Sequence, residues 1–75
     1  MKKEIFPKIT VDPDTLFGKP VIAGTRIPVA IIVGHIAAGD AIDMVMKEYG
    51  LAKEQVFAAL KYAAKVVDEE AVMSA

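Results

Sequence analysis

A change in chain punctuation at Pro28 constrains this protein more than any other feature. Before it, Pro7, Pro13, Gly18, Pro20 and Gly24 break the apolar residues into pieces too short for a helix. Ile9 and Val11 alternate as in a brief strand, and Val21-Ile22 reads as a second one. After Pro28 the apolar residues recur with helical period. Proline has no N–H to donate and is tolerated in the first helical turn, where that donor would have no intrahelical partner. The sequence therefore predicts a single domain over residues 1–75: an arm of turns and short strands over 1–27, then a mainly α bundle over 28–75.

Three helices are expected in the second part. The first spans about residues 28–38 and ends at Gly39, a residue suited to the left-handed conformation that closes a helix. Val29, Ile32, Val33 and Ile36 form its apolar face. Ala30, Ile31, Gly34 and Ala37 leave little polar surface on the rest, so the helix is expected to be buried on both sides. Two readings stay open here, a central core helix of a monomer and a helix that also lines a dimer seam. Asp40 is the expected N-cap of a second helix over 41–49, with Asp43 favourable to its dipole, Ile42, Val45, Met46 and Tyr49 inward, and Gly50 as the stop. A third helix starts near Lys53 and runs to about Val72 with the stripe Val56, Ala59, Leu60, Ala63 and Val67. Its cap position, Ala52, carries no side-chain acceptor. Helices two and three, joined by Gly50-Leu51-Ala52, have helix-turn-helix proportions, which serve simple packing as well as DNA reading.

A chain of 75 residues is near the lower limit for a self-sufficient core, yet it has no cysteine and a single histidine, His35. Disulfides and cysteine-based metal sites are excluded, and no metal or other cofactor is expected. Apolar residues make up 55% of the chain and mean hydropathy is +0.42, high for so small a domain. Some of that surface is expected to be covered by another chain, and a homodimer is the simplest arrangement. The longest apolar stretch, residues 27–39, has 13 residues, against the roughly 20 of a membrane span. Glu4, Pro7 and Lys8 interrupt what would be the apolar part of a signal peptide. A cytoplasmic protein with no membrane contact is expected.

Nothing in the sequence has the parts of a catalytic site. The only serine, Ser74, lies at the end of the last helix, and His35 stands among apolar residues and glycine. Asp12, Asp14, Asp40 and Asp43 fit turns and caps better than a magnesium site. Gly18, Gly24 and Thr25 match neither phosphate-loop nor dinucleotide spacing. A non-enzymatic binding protein is therefore expected. The candidate nucleic-acid contacts are Arg26, the one arginine, and Lys53, Gln55, Lys61 and Lys65 on helix three. An ion pair that fixes the arm would explain Arg26 equally, and pairing with Glu69 at i+4 would explain Lys65. Charge is uneven: residues 1–27 carry a balance of +2 and residues 28–75 one of −3, so a DNA contact would need a local patch.

The run GKPVIAGTRIPV at residues 18–29, followed by GDAIDMVMKEYGL and EQVFAALKYAA, resembles the domain of unknown function 433 family over about residues 9–65. The matching motif positions are Gly18, Lys19, Pro20, Gly24, Thr25, Arg26, Ile27 and Pro28. Departures fall at Phe17, where a second glycine is common, at Ala23, where a basic residue is common, and at Ala52, where a capping threonine or serine is usual. The resemblance implies a homeodomain-like three-helix bundle with a helix-turn-helix over residues 41–65 and an N-terminal strand arm that supports dimerisation. It also implies an antitoxin partnered with a PIN-like ribonuclease toxin and able to repress its own operon by binding operator DNA. On that expectation Ile9, Val11, Val21 and Ile22 form the dimer arm, and Val66, Val67, Val72 and Met73 contact the protein partner. The alternatives are a stand-alone helix-turn-helix regulator of DNA and a structural dimerisation module without nucleic-acid contact.

Overall fold

The computed structural model describes the backbone of residues 1–74 and the side chains of residues 1–69. Three short strands, β1 (Lys3–Phe6), β2 (Ile9–Val11) and β3 (Val21–Ile22), precede three helices, α1 (Val29–Ala37), α2 (Ile42–Tyr49) and α3 (Lys53–Ser74). The fold is the mainly α three-helix bundle with a short N-terminal β arm that the sequence predicts.

The strands form one antiparallel sheet in the order β1-β2-β3. Ile9 lies opposite Ile22 and Thr10 opposite Val21. Because neighbouring residues of a strand face opposite ways, Ile9 and Ile22 share one face, and both are fully buried in the core with Ile32, Val45 and Val56. Sequence reasoning missed β1. Its charged residues, Lys3 and Glu4, are exposed, which suits an edge strand and hides the alternation that marks a buried one.

The segment between β3 and α1 folds back tightly on itself. Gly24 takes φ +77, a conformation that carries little penalty without a Cβ. The Thr25 hydroxyl donates to the Ile22 carbonyl at 2.7 Å and accepts the Ile27 N–H at 3.0 Å. Ile22 N–H donates to Ile27 O, and Val29 N–H to Pro20 O, each at 3.0 Å. Pro28 is the cap residue just before α1 rather than its first helical residue. Within α1, Val29 and Ile32 are buried and Val33 and Ile36 half-buried, but Ala30, Ile31, Gly34 and Ala37 are exposed. The expectation of a helix buried on both sides is corrected: one face is used within the chain and the other is open.

Gly39 and Gly50 end α1 and α2 with φ of +97 and +66. Leu51 N–H then closes on Met46 O at 2.9 Å, and Leu51 itself is buried in the core, so the turn is held by backbone and packing together. Asp40 does not cap α2. The residue at that position is Ala41, with no side-chain cap bond, and Asp40 binds His35 instead. At the start of α3, where Ala52 has nothing to offer, the Gln55 side chain accepts the Ala52 N–H at 2.7 Å. This is the returning half of a capping box.

Candidate functional site

Four features could engage a partner: the cleft at Arg26, the polar link at His35, the outer face of the helix-turn-helix, and the groove between α1 and α3. The fold-back between β3 and α1 puts Arg26 at an exposed position beside Gly24 and Thr25. Its cleft, about 370 Å³, is also bordered by Lys2, Thr10, Asp12 and Thr15. No described carboxylate lies within ion-pair distance of Arg26, so the reading in which an ion pair within the chain fixes the arm finds no partner in this structure. Asp12 accepts the Asp14 N–H at 2.9 Å. That bond, first among the causes, holds its carboxyl below the usual value of 3.8, with the nearby N-terminus and Lys2 acting in the same direction against some desolvation. Thr10 is 7% exposed, and its hydroxyl oxygen is the one buried side-chain polar atom without a partner among the described residues.

His35 is engaged at both ring nitrogens. Nδ1 lies 2.7 Å from an Asp40 carboxylate oxygen and Nε2 lies 2.7 Å from the Tyr49 hydroxyl. A Glu48 oxygen is 3.7 Å from Nε2, and the Tyr49 ring meets the imidazole edge-on at 5.4 Å. The cluster ties the end of α1 to α2. It has no adjacent nucleophile, and no described group of three or more metal-ligating side chains exists anywhere in the chain. The sequence reading of His35, a histidine among apolar residues that serves as a packed or interface residue, did not include either partner. Tyr49, inward on α2, and Asp40, just past the Gly39 turn, were the available signal.

The basic candidates do not converge. Lys53 and Lys61 are exposed, and Lys61 borders a different cleft from Arg26, one shared with Lys8, Glu54 and Phe57. Lys65 is paired with Glu69 at 3.0 Å, and Gln55 is engaged in capping α3. The arm candidates are also placed differently from expectation. Ile9, Val21 and Ile22 are buried within the chain itself and Val11 is half-buried. An arm reaching a second copy would have to withdraw those residues from the core.

An apolar groove of about 540 Å³ lies between α1 and α3, with Pro28, Val29, Ala30, Val33, Tyr62, Ala63, Val66 and Val67 along it. Val67 is 64% exposed. Of the expected partner contacts, Val66 and Val67 therefore sit together on this surface, whereas Val72 and Met73 lie outside the residues whose side chains are described.

The described residues thus form a small three-helix bundle of helix-turn-helix type with an N-terminal β arm and an apolar groove between α1 and α3. Within that class, the chain belongs to the family described as "Protein of unknown function (DUF433)", whose model matches residues 9–63. It is similar to Rv2018 from Mycobacterium tuberculosis, a protein known from its crystal structure, with 33% identity and a TM-score of 0.62 over 69% of the present chain. The match spans only 24% of that protein's length. No curated protein matches the chain. No described helix is long and apolar enough to cross a membrane.

Proposed function

We propose that this chain is the antitoxin-like member of a type II toxin–antitoxin pair: a cytoplasmic binding protein without chemistry of its own, which neutralises a PIN-like ribonuclease by covering it and represses its own operon. The observation that carries the reading is the outer part of α3. Among the described residues, the last α3 side chain packed on the core is Tyr62, yet the helix continues to Ser74, about 18 Å further at 1.5 Å per residue. Val66 and Val67 lie on that extension, with Val67 largely exposed. A pair of valines carried on such an extension suits insertion into a groove on another protein, and the family resemblance favours a small ribonuclease in that role.

The test is capture of the tagged full chain from its native cells, identification of whatever co-purifies in stoichiometric amount, and titration of that nuclease with the purified chain. Ribonuclease activity should fall in proportion to added chain until the two are equimolar. Removing residues 68–75 should leave the fold intact, read as cooperative unfolding of the shortened chain, and weaken inhibition. A captured nuclease that stays fully active in excess chain would refute the reading.

The helix-turn-helix arrangement of α2 and α3, with Lys53 and Lys61 exposed, supports a second reading as a DNA-binding regulator. Affinity for operator DNA should then fall steeply with salt, because phosphate contacts displace counterions. A chain that ignores DNA at low salt would remove this reading.

A further inference from the structure

The cleft beside Arg26 carries positive charge that the chain does not match. Asp12, the one carboxylate bordering it, is engaged by the Asp14 N–H at 2.9 Å and by the Met1 ammonium at 3.5 Å. Arg26 and Lys2 border the same cleft of about 370 Å³, and neither lies within ion-pair distance of a described carboxylate. The wall also holds an unmatched polar group. Ile9 is buried in the core, and successive residues of a strand face opposite ways. Thr10 therefore lies on the other face of β2, where it borders this cleft. It is 7% exposed, and its hydroxyl oxygen has no partner. Buried polar groups in folded proteins are bonded with few exceptions, and an orphan beside two unpaired cations calls for an ion or ligand to bond it.

We infer that this cleft binds a small phosphomonoester, with Arg26 and Lys2 on the phosphoryl oxygens and the Thr10 hydroxyl, turned by its one side-chain torsion, donating to the same group. Charge selects this class of anion. Near neutral pH a phosphomonoester carries about two negative charges, which is the number that Arg26 and Lys2 leave unmatched. A carboxylate or a phosphodiester carries one. The oxygens also suffice, because a guanidinium fork takes two of the three and leaves the third for Lys2 and Thr10. Asp12 keeps acceptor capacity for a hydroxyl on the alcohol part of the ester. Nucleic acid fits this cleft less well: its backbone phosphates are singly charged diesters, Asp12 stands in the wall, and Lys61 of the helix-turn-helix borders a different cleft. The site joins β2 to the segment that leads into α1, so a bound ester ties the arm to the bundle and raises stability by mass action. It lies apart from Val66 and Val67, so this inference stands independently of the nuclease.

Glycerol 3-phosphate is the probe, titrated into the full chain in about 0.15 M salt and followed by calorimetry and by amide chemical shifts. Binding should saturate at one equivalent, with the shifts concentrated at Thr10 and at Gly24 to Arg26. Arg26→Ala should raise the dissociation constant about tenfold or more, and Thr10→Val about threefold to tenfold. Lys61→Ala, which removes an exposed lysine from the other cleft, should leave it unchanged. Thr10→Val also gives a readout that damage to the fold would not: without the probe it should unfold at higher urea than the wild type, yet gain less stability when the probe is added. Dimethyl phosphate, a singly charged diester, should bind at least about tenfold more weakly. Absence of saturation by about 10 mM probe, shifts confined to other residues, equal weakening by Lys61→Ala, or equal affinity for dimethyl phosphate would each overturn the inference. A phosphoserine peptide that binds more tightly than the glycerol ester would overturn the assignment to a small molecule.

Discussion

Replacing Thr10 by valine should make this protein more stable. Thr10 is 7% exposed and its hydroxyl has no partner, so folding strips water from a polar group and gives nothing back. An unpaired buried group of this kind costs about 1–3 kcal/mol. Valine keeps the β-branched shape that suits β2 and replaces the hydroxyl with a methyl, which gains a further fraction of about 0.8 kcal/mol on burial. A net stabilisation of about 1–2 kcal/mol follows, or roughly 4–16 °C in melting temperature at about 4–8 °C per kcal/mol for a domain of this size. Urea unfolding followed by circular dichroism at 222 nm measures it, with the midpoint rising and the slope unchanged. Thr10→Ala serves as control, since it removes the orphan hydroxyl but also leaves a small void and should gain less than valine. The reasoning fails if Thr10→Val lowers the midpoint, because the hydroxyl must then be bonded in solution.

Three further outcomes are expected. Gln55→Ala should destabilise the fold by about 0.5–1 kcal/mol through loss of the bond to Ala52 N–H, read by urea unfolding, whereas a neutral result would return Gln55 to the list of free surface contacts. His35→Ala and Tyr49→Phe should be coupled, a double-mutant cycle giving about 0.5–1.5 kcal/mol for the 2.7 Å bond between them; strict additivity would mean that this bond does not hold α1 to α2. Asp12 has a carboxyl held below 3.8 in the fold, so its contribution is fully present above that value and lost as pH falls through the lower folded pKa. Asp12→Asn should therefore lie below the wild type in stability at neutral pH and converge with it in acid, and parallel pH curves would show that the Asp14 bond has no such effect.

How much of this was legible in the sequence depended on how local each determinant is. The Pro28 boundary, the helix stops at Gly39 and Gly50, and the inward face of α2 follow from φ preferences and from a 3.6-residue period that neighbouring positions fix among themselves. Val66 and Val67 were likewise identifiable as surplus apolar surface, because the helical stripe outlasts what a small core can use. Side-chain pairing was not legible in the same way. Asp40 has the chemistry of an N-cap, but the fold brings His35 Nδ1 within 2.7 Å, and a hydrogen bond to that ring wins over the cap.

By itself, then, the sequence determined β2, β3, the order of the three helices, the helix stops at Gly39 and Gly50 and the bundle class, all set by backbone preferences over a few residues; the edge strand β1 it did not reveal. Only the tertiary structure decided where those elements direct their side chains. It turned Ile9 and Ile22 inward, away from the role of a free arm, because their sheet face packs against the helices. It also left Thr10 without a partner and set Phe17 in full exposure. Burial is a property of what lies across the chain in space, and no stretch of local sequence carries that information.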